Sequence, residues 1–88
     1  AAFTPNGDGL NDRFRIITDN PNIDGAFLYV YNRWGQQVYM SYNLSDGGWD
    51  GTVGAKPADP GTYFWMVKYR ITGSTQSYME KGDVVLVR

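Results

Sequence analysis

The first residues that could do chemistry form a polar loop near the N-terminus, Asn6-Gly7-Asp8-Gly9-Leu10-Asn11-Asp12. The loop offers several side-chain oxygens, and its two glycines permit the sharp turns that a Ca²⁺ site needs. This pattern predicts a calcium site formed by Asn6, Asp8, the Leu10 carbonyl and Asp12, and no other cofactor. The loop lacks the bidentate Glu of an EF-hand. The commoner alternative is a metal-free loop, in which Asx turns hold the N-terminal segment through side-chain-to-backbone hydrogen bonds.

Two tryptophan motifs are candidates for recognition. Arg33 and Trp34 lie at the tip of a predicted hairpin, where such a pair is either a hot spot for a partner or a cation stacked on a ring that caps the core. Trp49, in the turn Trp49-Asp50-Gly51, is either a platform for sugar rings or a buried anchor whose neighbour Asp50 bonds turn amides. The structural interpretation is favoured in both cases.

The sequence contains few side chains of the types that act in catalysis. The chain contains no His and no Cys, which excludes Ser–His–Asp triads, thiol nucleophiles and zinc sites built from these ligands. Two aspartate pairs, Asp8 with Asp12 and Asp46 with Asp50, match the carboxylate pair of a glycosidase. Both pairs lie in Gly-rich turns, where Asp is common for local reasons. We therefore expect no enzymatic activity and no catalytic residues.

The charge balance limits the classes of partner. The net charge of the 88 residues is −1, which gives no electrostatic attraction to nucleic acid or to an anionic membrane. The apolar runs span only a few residues, too short to cross a bilayer. We expect a monomer that neither binds nucleic acid nor inserts into a membrane.

The composition favours strands over helices. Val, Ile, Thr and the aromatic residues number 31, against 13 for Ala, Leu, Lys and Glu. Turn signals recur about every ten residues. Strands are predicted at 13–18, 26–31, 36–42, near 52–53, 62–72 and 76–88, with a bulge at Gly82. The predicted fold is an all-β, Ig-like antiparallel β-sandwich of about seven short strands.

One local motif supports the prediction of an Ig-like sandwich. The run from Asp59 to Trp65 places Gly61 two residues before Tyr63, as in a tyrosine corner, where the Tyr hydroxyl bonds back to the backbone. Trp65 then stands where antibody domains carry their second Cys, so we expect it to fill the centre of the core. The full predicted core comprises Phe14, Ile16, Leu28, Val30, Val38, Tyr63, Trp65, Val67 and Leu86.

The motifs follow one another in an order that resembles a known family. They are Phe3-Thr4-Pro5-Asn6-Gly7-Asp8-Gly9-Leu10-Asn11-Asp12, Tyr31-Asn32-Arg33-Trp34-Gly35, Trp49-Asp50-Gly51-Thr52, Pro60-Gly61-Thr62-Tyr63 and Gly82-Asp83-Val84-Val85-Leu86-Val87-Arg88. Together they resemble the gliding motility-associated C-terminal domain, which is the type B C-terminal sorting domain of the type IX secretion system. The resemblance covers essentially the whole chain.

The resemblance implies a role in protein transport. Residues 1–88 would be a single C-terminal sorting domain, excised from a larger protein that passes through the periplasm to the cell surface or the medium. Outer-membrane components of the type IX machinery would read the folded domain. A terminal strand is a natural docking edge, so we expect partner contacts at Arg33, Trp34, Val84, Val85, Leu86, Val87 and Arg88. The alternatives are a stand-alone adhesive or carbohydrate-binding Ig-like module and a structural spacer.

Overall fold

The computed structural model describes residues 2–7, 9, 12–16, 22–43 and 47–88, apart from the side chain of Asp24. These residues contain seven strands and no helix. The strands are β1 (Ala2–Phe3), β2 (Ile23–Tyr31), β3 (Gln37–Ser41), β4 (Thr52–Val53), β5 (Lys56–Pro57), β6 (Gly61–Ile71) and β7 (Ser77–Leu86).

Five of the strands form one sheet in the order β1-β7-β6-β2-β3, and β4 pairs with β5 in a small second sheet. The prediction of an all-β, sandwich-like fold is confirmed. One pair in the described part of the chain departs from the expected antiparallel arrangement, because β1 runs parallel to β7, with Ala2 opposite Val85 and Phe3 opposite Leu86. A parallel pair needs a long crossover, and here the rest of the domain supplies it.

The N-terminal quarter of the chain differs most from the sequence prediction. Of the strand expected at 13–18, residues 13–16 are described, and they form one β-bridge, between Phe14 and Trp49. Residues 17–18 lie outside the described part. β2 begins earlier than expected and carries a register shift between Ile23 and Ala26. Gly25 lies in this irregularity with φ 75°, so a predicted turn residue sits inside a strand as a bulge.

One face of the large sheet forms the core. β2 directs Leu28 and Val30 to this face, and their register partners on β6 are Val67 and Trp65, because residues opposite each other in a sheet share a face. The predicted inward phase of β2 is therefore confirmed. Of the predicted core, Phe14, Leu28, Val30, Tyr63, Val67 and Leu86 are buried, and Ile16, Val38 and Trp65 are partly buried against them. Phe3, Ala58 and Val84 are also buried and were not predicted, and Trp49, predicted as a loop anchor, belongs to the core as well.

The centre of the core is Trp49, where the sequence predicted Trp65. Trp49 is 1% exposed and is among the largest fully buried side chains. Its ring centroid lies 4.9 Å from that of Tyr63 and 5.5 Å from that of Phe3. Trp65 lies at the margin of the core, with its ring 6.2 Å from Phe14. The prediction failed because the loop that carries Trp49 folds back over the sheet and covers its centre.

Gly82 is not a bulge. β6 and β7 pair without a register shift, and Gly82 lies directly opposite Trp65. A Cβ atom at this position would lie 2.7 Å from Cζ2 of the Trp65 ring, closer than a van der Waals contact. The indole ring therefore occupies the space that a side chain at residue 82 would need.

This packing predicts the outcome of a double-mutant cycle. Gly82→Ala should lower the free energy of unfolding by about 1–3 kcal/mol, because the Trp65 ring has to move out of its position. In a Trp65→Ala background the same substitution should be neutral or stabilising, since Ala is better than Gly in a strand. Urea unfolding of the four proteins measures the cycle. An equal loss in both backgrounds would show that the ring is not the obstacle.

Candidate functional site

The turn Trp49-Asp50-Gly51-Thr52 is a structural unit. Nε1 of Trp49 donates a 2.9 Å hydrogen bond to the Thr52 carbonyl. The Asp50 carboxylate accepts hydrogen bonds from the Thr52 hydroxyl, at 2.6 Å, and from the Thr52 amide, at 3.0 Å. The hydroxyl bond is the largest cause that lowers the pKa of Asp50. The buried-anchor interpretation of Trp49 is confirmed, and its ring is not accessible to a sugar.

Arg88 is attached to this turn by its side chain. Its guanidinium donates to the Gly51 carbonyl at 2.8 Å and to the Ala58 carbonyl at 3.0 Å. The Ala58 amide in turn donates to the Gly51 carbonyl at 2.8 Å. These bonds connect the end of the described chain to both ends of the β4–β5 hairpin. Recognition of Arg88 by a partner stays a prediction, and its guanidinium already has two acceptors within the domain.

The predicted tyrosine corner is present. The Tyr63 hydroxyl donates a 2.6 Å hydrogen bond to the Asp59 carbonyl, four residues upstream. Burial is the main cause that raises the pKa of Tyr63, and the nearby Asp59 carboxylate adds to it. Gly61 adopts φ 137°, which an L-residue rarely reaches. The motif fixes how the chain enters β6.

The tip of the β2–β3 hairpin is held by hydrogen bonds among its own residues. The Asn32 side chain accepts hydrogen bonds from the amides of Trp34, at 3.0 Å, and Gln36, at 2.9 Å. Cζ of Arg33 lies 4.4 Å from the centroid of the Trp34 ring. Trp34 is 70% exposed, so it does not cap the core as the structural alternative supposed. The result is a rigid turn that presents a cation and an indole ring to solvent.

A groove of about 470 Å³ lies beside this tip. We call it the tip groove. It is lined by the β2–β3 turn with Trp34, by Lys56 and Pro57 of the β4–β5 hairpin, and by the segment from Ala58 to Tyr63. The sequence indicates Trp34 but not the β4–β5 hairpin, because no local pattern shows that the two hairpins line one groove.

The side chains at the end of β7 and just after it alternate between the core and the surface. Val84 and Leu86 are each 1% exposed and belong to the core. Val85 and Val87 are 39% and 44% exposed. The expected docking edge is not free at this point, because β1 pairs with Val85 and Leu86 and so covers the end of β7. Side-chain contacts of a partner with Val85 and Val87, and the role of residues 84–88 in recognition, stay predictions.

The N-terminal loop is described in part. Asp8 and Leu10, two of the four predicted calcium ligands, lie outside the described residues. The Asp12 carboxylate accepts hydrogen bonds from the amides of Gly7, at 3.1 Å, and Gly9, at 2.8 Å. This is the side-chain-to-backbone bonding of the metal-free alternative. Calcium binding through Asn6, Asp8, Leu10 and Asp12 stays a prediction.

The described residues hold neither a metal-binding cluster nor a long helix. No group of three or more His, Cys, Asp or Glu side chains comes together among them. Of the two aspartate pairs considered for catalysis, Asp12 and Asp50 each accept hydrogen bonds within a turn. Asp8 and Asp46 lie outside the described residues. No helix with the length and apolar character to cross a membrane occurs in the part of the chain that is described.

The chain matches the model of a known protein family. A family model described as the CHU_C type IX secretion signal domain matches residues 1–86. No curated protein matches the chain. The matched range contains the hairpin tip, the Trp49 turn, the tyrosine corner and all seven strands.

The contacts of Arg88 predict a loss of stability on truncation of its side chain. Arg88→Ala should lower the free energy of unfolding by about 1–2 kcal/mol, because two hydrogen bonds from a charged donor are removed. Arg70→Ala is the control, since Arg70 is exposed and should change stability by less than about 0.5 kcal/mol. Urea unfolding measures both. Equal, small effects would mean that the Arg88 contacts are not maintained in solution.

The lowered pKa of Asp50 predicts a pH-dependent contribution to stability. A carboxyl group with a lowered folded-state pKa stabilises the fold above its ordinary pKa of 3.8 and loses this effect as the pH falls through the lower folded value. Asp50→Asn should therefore be less stable than the parent at pH 7, by less than about 1 kcal/mol because the site is solvated. The difference should vanish at the acid end of a urea-unfolding series. Asp83→Asn is the control, and a difference that grows towards low pH would contradict the assignment.

Proposed function

The chain belongs to the CHU_C family of type IX secretion signal domains, and we propose on that premise that it is the C-terminal sorting domain of a larger protein. The resemblance found in the sequence is thereby confirmed. The family indicates export to the cell surface or the medium. In our proposal the cargo reaches the periplasm first, and outer-membrane components of the secretion machinery then read the folded domain.

The match over residues 1–86 is the observation that carries this proposal. The structure supports a label rather than an enzyme, because the conspicuous side chains of the sequence motifs hold the fold together. Trp49, Asp50 and Tyr63 all bond to the backbone of their own domain. We therefore propose that the domain is non-catalytic and is recognised through its shape and exposed side chains.

Among the sequence motifs, the tip of the β2–β3 hairpin presents exposed side chains. Arg33 and Trp34 are stacked on one another and both line the tip groove. Trp and Arg are enriched among residues that dominate binding energy in protein interfaces. A stacked pair on a rigid turn also loses little side-chain entropy on binding. We propose that this tip is one contact with the secretion machinery.

The carbohydrate-binding alternative has less support. It relied on Trp34, Trp49 and nearby tyrosines as stacking platforms, and Trp49 is 1% exposed. Of the two tryptophans, Trp34 remains exposed, with the Arg33 guanidinium 4.4 Å from its ring centroid. No second exposed indole accompanies it in the described residues.

The proposed function is tested with a fusion. Residues 1–88 are attached to the C-terminus of a fluorescent reporter that carries a secretory signal, in a host with a type IX system. The reporter should become accessible to external protease or antibody. It should stay inside the cell envelope without the domain, or in a host strain that lacks the type IX translocon. Retention of the complete fusion in a competent host would reject the proposal.

The same fusion tests the hairpin tip. Trp34→Ala should lower surface-exposed reporter at least tenfold, which corresponds to about 1.4 kcal/mol of lost binding. Its melting temperature should not change, because the Trp34 side chain is 70% exposed. Tyr78→Ala, an aromatic truncation near the opposite end of the sheet, is the control. Normal export of the Trp34 variant would remove the tip from the recognition surface.

A further inference from the structure

The face of the five-stranded sheet that points away from the core is apolar, and no described strand or loop packs over it. We call it the outer face; it is centred on Phe27 and Tyr29 of β2 and Met66 of β6. Phe27 is 38% exposed, and Phe64 and Met79 are 47% and 55% exposed. A contiguous apolar surface of this kind on a small soluble domain is a sign of an interaction site.

The aromatic part of the outer face is ordered in the absence of a partner. The ring centroids of Phe27 and Tyr29 are 6.4 Å apart, as are those of Tyr29 and Tyr31, and each pair is nearly parallel. Tyr42 packs edge-on against Phe27 at 5.5 Å. These contacts fix the rotamers before any binding event. A partner therefore meets a preorganised surface and the entropy cost of ordering it is small.

Cations lie among the apolar side chains of the outer face. Lys68 lies between Phe27 and Met79 across the three central strands, and Lys81 lies opposite Met66. Arg70 follows Lys68 on the same face, because residues two apart in a strand point the same way. None of the three forms an ion pair with a described residue. Asp83, opposite Phe64, is the acidic side chain that the described strands add to this face.

The chemistry of the face favours an acidic protein surface as its occupant. Aromatic residues, Met and Arg are the types enriched in the centres of protein interfaces. A polysaccharide would present hydroxyl groups to Met66, Met79 and Val85, which offer no hydrogen bonds to satisfy them. A second copy of this chain would bring a face with three cations and one carboxylate, counted over the described side chains, against itself. An acidic partner instead complements these three cations, which pair with no described residue.

We propose that the outer face is a docking surface for a folded protein that presents apolar side chains flanked by carboxylates. The inference rests on the proposed function, because that protein would be a component of the secretion machinery. The aromatic and methionine side chains supply the buried contact. Lys68, Arg70 and Lys81 supply the charge that selects and orients the partner.

Charge reversal in the reporter fusion tests the proposal. Lys68→Glu and Lys81→Glu should each lower surface-exposed reporter about three- to tenfold, because each sets like charges against each other across the interface. Lys68→Arg should retain export, since the charge is kept. Arg15→Glu is the matched control, an exposed cation outside the outer face with the same change in net charge. Melting temperatures of the purified domains show that each variant is folded; if a Glu variant is not, the Gln variant at that position replaces it and should give a smaller loss.

The outcomes separate this inference from the proposed function. Failure of the parent fusion to reach the surface rejects the proposed function itself. Export of the parent and of folded Lys68→Glu and Lys81→Glu fusions at equal rates overturns the docking surface alone. Retention of the purified domain on immobilised heparin at physiological salt, lost in the same variants, would overturn the protein partner in favour of an acidic polysaccharide. A dimer in light scattering that these variants abolish would overturn it in favour of a second copy.

Discussion

The burial of the Trp49 side chain is the constraint on which the rest of this structure depends. The backbone of Trp49 exchanges two hydrogen bonds of 2.8 Å with Phe14, and its indole N–H is satisfied by the Thr52 carbonyl. The ring itself packs against Phe3 and Tyr63. One residue thus joins the N-terminal segment, the loop before β4 and the central strand β6. The chain has 88 residues and no cysteine. This aromatic centre therefore cross-links distant segments and stabilises the domain, as disulfides do in many small domains.

The glycines around this centre follow from the same constraint. Gly48 adopts φ 87°, and a Cβ there would lie 2.2 Å from the Phe14 carbonyl oxygen. Any side chain at this position would push the Trp49 loop off its bridge to Phe14. Gly51, on the other side of Trp49, has φ 80° and lies against Pro5, Leu86 and Arg88. The glycines before and after Trp49 are therefore required for the close packing of this loop against its neighbours. From the sequence alone the same stretch resembles an ordinary Gly-rich loop.

The sequence predicted those features whose signals are local. The alternation of apolar residues along β6 gave its phase, and the spacing of Gly61 and Tyr63 gave the tyrosine corner. Features that depend on contacts between distant segments were missed. No local pattern shows that Ala2 pairs with Val85, or which of three tryptophans lies at the centre of the core. Arg88 was expected to contact a partner, and its bonds within the domain were missed because its acceptors, Gly51 and Ala58, lie 30 or more residues away.

The parallel pairing of β1 and β7 has a mechanical consequence. Because the first and last strands lie side by side and run in the same direction, tension between the two ends of the described chain pulls them along their lengths in opposite directions. The hydrogen bonds of the pair, together with the bond from the Val87 amide to the Phe3 carbonyl, are then loaded in shear and must break together. Slippage would also drag Phe3 from its place beside Trp49. The domain is thus built to resist extension along the line through its ends, and to yield more readily to a force that peels a hairpin open bond by bond.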